Sequence, residues 1–416
     1  MPALNKESVE KAVAVAGLAL LAMVYGYAAR TFGWFPNALL QRAWLQGQTA
    51  VQSQAPDYLS ARVYDRTGAR VVDSGATGPG LTFVTTLWEE EGEWGPGARL
   101  VDREGAVVHQ WRVDPEAIFA DSVSRRELGL EHLDLQGSHL FPDGRLMVNV
   151  EYAGTVLLNS CGEVRWTLPG GNHHSIERAP DGSFWVPGVT PSPRRGSPNH
   201  PDGFPGVDRP VYQDRLVRIA TDGTVLEAIN VLDVLYDNGL ERYVVKAGYG
   251  GTWEVTHLND IQPLPDSLAD AYPLFDGGDL AVSLKLLDLV FVVDPDTREV
   301  VWHASAPFVG QHDPDFIGDG WIGVFDNRQD GTRRGSVLGG SRIVALQPHT
   351  DSTRVLFPTE ESDPFYTGER GKWQLLPGGK MLLTESETGR VVEVTAGGRT
   401  VWEWLVEPYD ESRVPY

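Results

Sequence analysis

From Gly80 onward, apolar and polar residues alternate in short runs separated by Asp-Gly, Gly-Gly and Pro-containing turns. That period of two marks half-buried strands. Two kinds of segment recur. The first is a strand, a turn and an apolar strand: GSHLFPDGRLMVNV from Gly137, HSIERAPDGSFWVP from His174, HDPDFIGDGWIGVF from His312 and KWQLLPGGKMLLT from Lys372. A looser copy, HLNDIQPLPD, starts at His257 and resumes at GGDLAVSL from Gly277. The second kind is a hairpin, often ending in Trp. It starts at Ala98, Gly154, Asp214, Asp288, Ser341 and Gly389. The last five hairpins each follow a segment of the first kind, and the first follows LTFVTT at Leu81. Two strands plus two strands make a four-stranded blade, and repeats of this size predict a radial closed array. The expectation is an all-β, six-bladed β-propeller over 80–416.

The pattern before Gly80 differs. Ala12 to Ala29 carries no charge, and eighteen helical residues reach roughly 27 Å, close to a bilayer's hydrocarbon thickness. Tyr25, Tyr27, Phe32, Trp34 and Phe35 cluster at its far end, as an interfacial belt does. A cleaved signal peptide is the competing reading, but Tyr27 spoils the small-residue cut site after Ala29. Residues 1–35 therefore read as a cytoplasmic tail and one transmembrane helix, with the propeller on the periplasmic or extracytoplasmic side. The flanking charges, Lys6 and Lys11 against Arg30 and Arg42, are nearly balanced. Residues 36–79 read as an amphipathic segment and linker.

Two stretches break the repeat. Pro187 to Pro210 is too rich in Pro and Gly for regular structure, and reads as a lid, a binding loop or disorder. Gly331 to Gly340 is the second. Val231 to Val244 reads as including a short helix. The net charge of −22 leaves no basic face for nucleic acid. The single Cys161 lies in a turn and permits neither an internal disulfide nor a zinc site. No motif calls for a cofactor.

Candidate chemistry follows from the repeat. Residues at the start of each blade's innermost strand converge on one channel mouth. Seven positions before the turn Asp or its equivalent lie Gln136, His174, His312 and Gly371. His257 precedes Asp266 by nine, on the same strand face. Three histidines thus share one mouth, where neutral imidazoles can bind an ion, move protons or attack. No His-x-His or His-x₃-His pair favours a metal. His139 has the opposite parity and is expected to pack between blades.

THLNDIQPLPD from Thr256, WHASAPFVGQHDPDFIGDGWIGVFDNR from Trp302 and GKWQLLPGGKMLLTESETGRVVEVTAGGRTVWEW from Gly371 resemble the arylsulfotransferase family, and more closely its bacterial membrane-anchored branch. The resemblance spans roughly Leu81 to Trp404. It implies a six-bladed propeller that moves a sulfuryl group from an aryl sulfate to a phenol through a sulfohistidine. By motif it assigns His312, His257 and His174 to the channel histidines and Arg328 to the family's arginine, with Arg333 or Arg334 as alternatives. Asp260, Asp313 and Asn327, inside the same motifs, take substrate-binding roles. The family's late nucleophilic histidine has no counterpart: Lys372, Trp373 and Gln374 stand there. Two functions follow. One is a membrane-anchored, exported arylsulfotransferase-like propeller acting on aryl sulfates and phenols. The other is a non-catalytic accessory subunit of a larger membrane-protein complex, such as a respiratory or photosynthetic assembly.

Overall fold

The computed structural model describes residues 6–32, 58–120, 133–247 and 254–416, in two compact units, 1–56 and 57–416. The amphipathic segment expected after Pro36 lies outside the described residues. In the first unit, α1 runs over Lys6–Phe32. Its large apolar side chains between Val13 and Tyr27 are all exposed. Among the described residues no helix is long and apolar enough to cross a membrane.

The second unit is a six-bladed propeller. Two short strands come first, β1 (Leu59–Ala61) and β2 (Gly68–Val71). Blade 1 holds β3 (Thr82–Glu90), β4 (Glu93–Val101) and β5 (Val107–Arg112). Blade 2 holds β6 (Leu135–Leu140), β7 (Leu146–Val150), β8 (Gly154–Leu158) and β9 (Val164–Pro169). Blade 3 holds β10 (Glu177–Arg178), β11 (Phe184–Val189), β12 (Asp214–Ile219) and β13 (Val225–Asn230). Blade 4 holds β14 (Leu258–Pro263), β15 (Leu280–Leu284), β16 (Leu289–Val293) and β17 (Val300–Ala304). Blade 5 holds β18 (His312–Phe316), β19 (Ile322–Asp326), β20 (Arg342–Gln347) and β21 (Ser352–Phe357). Blade 6 holds β22 (Trp373–Leu375), β23 (Met381–Glu385), β24 (Arg390–Val394) and β25 (Thr400–Leu405), and β26 (Arg413–Pro415) ends the chain. The pairings between these strands are antiparallel, and the strand order within each blade is sequential.

The expectation of four strands per blade needs correction at the closure. Among the described residues blade 1 shows three strands, while β2 adds a fifth to the outer edge of blade 6 by pairing with β25. The chain thus fastens its last blade with a strand drawn from just before its first. β1 pairs with β26 as a separate ribbon, Leu59 opposite Pro415.

Six apolar clusters fill the six gaps between blades. Side-chain alternation explains why the middle strands are apolar on both faces. Val156 and Leu158 of β8 pack toward blade 1, whereas Leu157 packs toward blade 3. His139 lies against Phe141 and Phe184 in the gap between blades 2 and 3, as its parity predicts. Outer-strand tryptophans staple neighbours together. The indole N–H of Trp111 donates to Gly144 O in the next blade (3.2 Å), Trp166 to Thr221 O (3.0 Å) and Trp402 to Arg103 O (2.8 Å).

The Pro-rich stretch is only partly irregular, since 187–189 complete β11. Beyond it the loop is ordered. Phe204, Val207 and Val211 join the core between blades 3 and 4. Asp233 of the helix Val231–Asp237 accepts hydrogen bonds from Ser197 Oγ and from His200 Nδ1 (3.0 Å).

Candidate functional site

Each blade's first strand lies nearest the axis, and its start is irregular where the site forms. Register shifts interrupt β6 between Leu135 and Ser138, β14 between Leu258 and Asp260, and β18 between His312 and Asp315. Such bulges re-aim side chains. His174, His257 and Asp313 hold left-handed backbones, with φ of 50°, 51° and 50°. A non-glycine residue there costs roughly 1–3 kcal/mol, so neighbouring contacts must hold it. They do at His174. Gln136 Oε1 accepts its backbone N–H (2.6 Å), Gly137 N–H donates to its carbonyl (2.7 Å), and Asn149 Nδ2 donates to the carbonyls of His173, His174 and Ser175. Gly137 cannot carry a side chain, because a Cβ there meets His174 O at 2.0 Å.

The three predicted histidines come together. The rings of His174 and His257 meet edge to face at 5.0 Å, and His312 acts electrostatically on His174 and feels His257. Hydrogen bonding fixes their tautomers. Asn327 Nδ2 donates to Thr367 O and Arg370 O, so its Oδ1 faces His312 Nδ1 (2.7 Å) and that nitrogen is the donor. Glu254 Oε2 accepts from His257 Nδ1 at 3.0 Å. Both rings therefore keep a lone pair on Nε2. Burial, then Lys285, holds His312 well below the usual imidazole range, against the opposing Asn327 bond. Burial, then His173, His257, His312 and Arg370, does the same to His174. For His257 burial again pulls downward, but Glu254 outweighs it and the net shift is upward.

Two cations approach the histidines. Lys285 comes from the turn after β15, bonds Glu369 O at 3.2 Å, and acts on both His257 and His312. Arg370 acts on His174, pairs with Asp134 at 2.7 Å, and lies over the rings of Tyr58 and Tyr416. Arg328 directly follows Asn327. Its guanidinium approaches Gly339 and acts on Asp326, and its side chain makes no hydrogen bond among the described residues. Arg334 pairs with Glu385 at 3.0 Å. Arg333 and Arg334 line a cavity of ≈ 430 Å³ with Gln329, Tyr366 and Glu369, beside the Lys285 contact.

The inner strands also carry a charged crossbar. Lys372 of blade 6 reaches Glu177 of blade 3 at 3.0 Å and Asp313 of blade 5 at 2.6 Å. Blades 3 and 6 are opposite in a ring of six, so this side chain spans the channel. Its side chain is 55 % exposed, although the blades surround it. Enclosure lowers its affinity for a proton, but Asp313, Glu177, Asp260 and Asp315 outweigh that and raise it well above the usual lysine range. Asp313 also accepts the Trp373 N–H at 2.7 Å and so braces blade 6. Asp260 is buried with Oδ1 unpartnered, and burial pushes it well above the usual carboxylate range despite Lys372. Among the described residues no His, Cys, Asp or Glu cluster is arranged to hold a metal ion.

His173, Glu254, Lys285 and Arg370 escaped the sequence reading. His173 and Arg370 adjoin positions the repeat singled out, and Glu254 precedes His257 by one helical turn's spacing. Lys285 left no signal, because only the fold brings its turn to the mouth.

A sequence model of the arylsulfotransferase (ASST) family matches residues 137–407, from the inner strand of blade 2 past the outer strand of blade 6. No curated protein matches the chain. Among solved structures it is similar to a protein of unknown function from Bacteroides caccae (11 % identity, 80 % of this chain and 98 % of that one, TM-score 0.49). It is also similar to a catalytically inactive virginiamycin B lyase from Staphylococcus aureus with quinupristin (10 %, 83 % and 88 %, 0.42) and to Kuenenia stuttgartiensis hydrazine synthase (12 %, 75 % and 73 %, 0.41). With the family match covering five blades and all three mouth histidines, the chain belongs to the arylsulfotransferase family.

Proposed function

We propose that this propeller transfers sulfuryl groups from aryl sulfates to phenols at the histidine mouth, with His257 as the nucleophile. The observation that carries the reading is the fixed Nδ1–H tautomer of His257. Glu254 accepts a hydrogen bond from that N–H, raises the ring's basicity and leaves Nε2 as the attacking lone pair, as a carboxylate does for imidazole in other catalytic pairs. His257 Nε2 attacks sulfur, the S–O bond to the aryl group breaks, and the electron pair leaves with the phenolate. The acceptor oxygen then attacks sulfur, the S–N bond breaks, and its pair returns to Nε2. Lys285 and Arg370 offset charge on the non-bridging oxygens. The cavity beside the Lys285–Glu369 contact has room for an aryl ring. The test is transfer from p-nitrophenyl sulfate to phenol. Turnover is expected in the wild type and a loss on the order of 10³-fold in His257→Ala. Activity that survives His257→Ala sinks the assignment.

The same reading places the propeller outside the cytoplasm, tethered by α1. Its support is the uninterrupted exposure of Val13, Val15, Leu18, Leu20, Leu21, Met23 and Val24, an apolar surface that lipid covers at little cost. A second reading, an accessory subunit of a membrane complex, is favoured by one observation. The Lys372 amine is committed to Asp313 and Glu177, in the stretch Lys372, Trp373 and Gln374 that the resemblance sets in place of the family's late histidine. No turnover, together with a stable complex recovered from native membranes, selects this second reading.

A further inference from the structure

We propose that His173 and Asp214 form a buried relay behind His174, and that the relay makes His174 the base that takes the hydroxyl proton of the acceptor. This rests on the sulfuryl-transfer reading above.

His173 is fully buried, so it touches no substrate. Its Nδ1 lies 2.7 Å from His174 Nδ1, a separation that requires one proton between the two nitrogens. Its other nitrogen, Nε2, lies 3.6 Å from Asp214 Oδ1. Both of those atoms are buried and make no hydrogen bond among the described residues, so each is the nearest polar group left for the other. The carboxylate cannot turn away, because Leu258 N–H and the Thr256 hydroxyl both donate to its Oδ2. Burial works against charge on Asp214, but His173, Thr256 and Leu258 outweigh it and keep the carboxylate ionised. Facing an anion, His173 Nε2 carries the proton. His173 Nδ1 is then an acceptor, His174 Nδ1 donates to it, and His174 Nε2 keeps its lone pair. The Tyr152 ring lies against His173 at 4.5 Å, and its hydroxyl donates to Glu254 at 3.3 Å, so the relay and the nucleophile's partner share one support.

The step balances. The acceptor's O–H proton moves to His174 Nε2 as its oxygen forms the O–S bond, and the S–N bond to His257 breaks with the pair returning to His257 Nε2. His174 passes its Nδ1 proton to His173 Nδ1, which places the positive charge beside Asp214. His174 touches the acceptor and is catalytic; His173 and Asp214 act through it and are positioning residues.

The readout is the dependence on acceptor acidity, with p-nitrophenyl sulfate as donor. In His173→Gln, transfer to phenol is expected to fall on the order of 10²-fold, while transfer to pentafluorophenol, already ionised at neutral pH, changes by less than ~3-fold. Release of p-nitrophenolate in the first half-reaction should be unchanged. An equal loss with both acceptors, or no loss with either, overturns the relay. If the wild type releases no p-nitrophenolate, the sulfuryl-transfer reading itself fails. The relay is then judged by imidazole ¹⁵N spectra, which also serve if His173→Gln does not fold. His174 should carry its proton on Nδ1 in the wild type and change tautomer in His173→Phe. A wild-type His174 protonated on Nε2 overturns it.

Discussion

The His257–Glu254 contact sets a pH dependence whose sign can be worked out. Attack needs the neutral ring, and Glu254 raises the pKa of His257 above the ordinary imidazole value. Activity should therefore fall as pH drops through that raised pKa. Glu254→Gln removes the raising charge, so the acid limb of the profile should move to lower pH. The plateau should also drop by about a hundredfold or more, because the ring loses the partner that fixes its tautomer and orientation. A limb that stays in place, measured as kcat/KM against pH, means another group controls it. Much of this site was legible in the sequence, because the repeat gave the positions of His174, His257 and His312 by counting from turns. Their partners were less so. Glu254 and His173 act through left-handed backbones and ring–ring contacts that alternation cannot encode, and Asn327 orients His312 rather than standing free for substrate.

At the level of strands and blades, the tryptophan staples account for the recurring Trp at hairpin ends. Each joins an outer strand to a turn of the following blade. Trp166→Phe removes one such bond, a loss of about 1 kcal/mol beyond the change in packing. Trp302, which packs between blades 4 and 5 but makes no indole hydrogen bond among the described residues, is the control. Urea midpoints should fall further for Trp166→Phe than for Trp302→Phe, and equal falls would show that the bond contributes nothing. Blade number and strand type were readable because both faces of most middle strands from blade 2 onward are buried, which leaves a dense apolar signature. The three-stranded first blade was not, because β2 looks like an ordinary short strand and only long-range pairing with β25 shows where it belongs.

For the whole molecule, that pairing makes closure depend on residues far from the last blade in sequence. Arg66 and Arg70 reach Glu403 of β25, reinforcing β2 with charge. A chain spanning 57–416 should keep the wild-type melting temperature of the propeller. Removing 57–80 as well should lower it by at least ~3 °C, and an unchanged transition means that closure does not rely on β2. The crossbar has a different consequence. Lys372, Glu177 and Asp313 join blades 3, 5 and 6 across the axis. Under the proposed transfer, a donor, its departing phenol and the incoming acceptor would then share the histidine side of this bar as a single doorway. Traffic through one doorway has to alternate, so that reading implies a turn-taking order in which the first product vacates before the next partner enters.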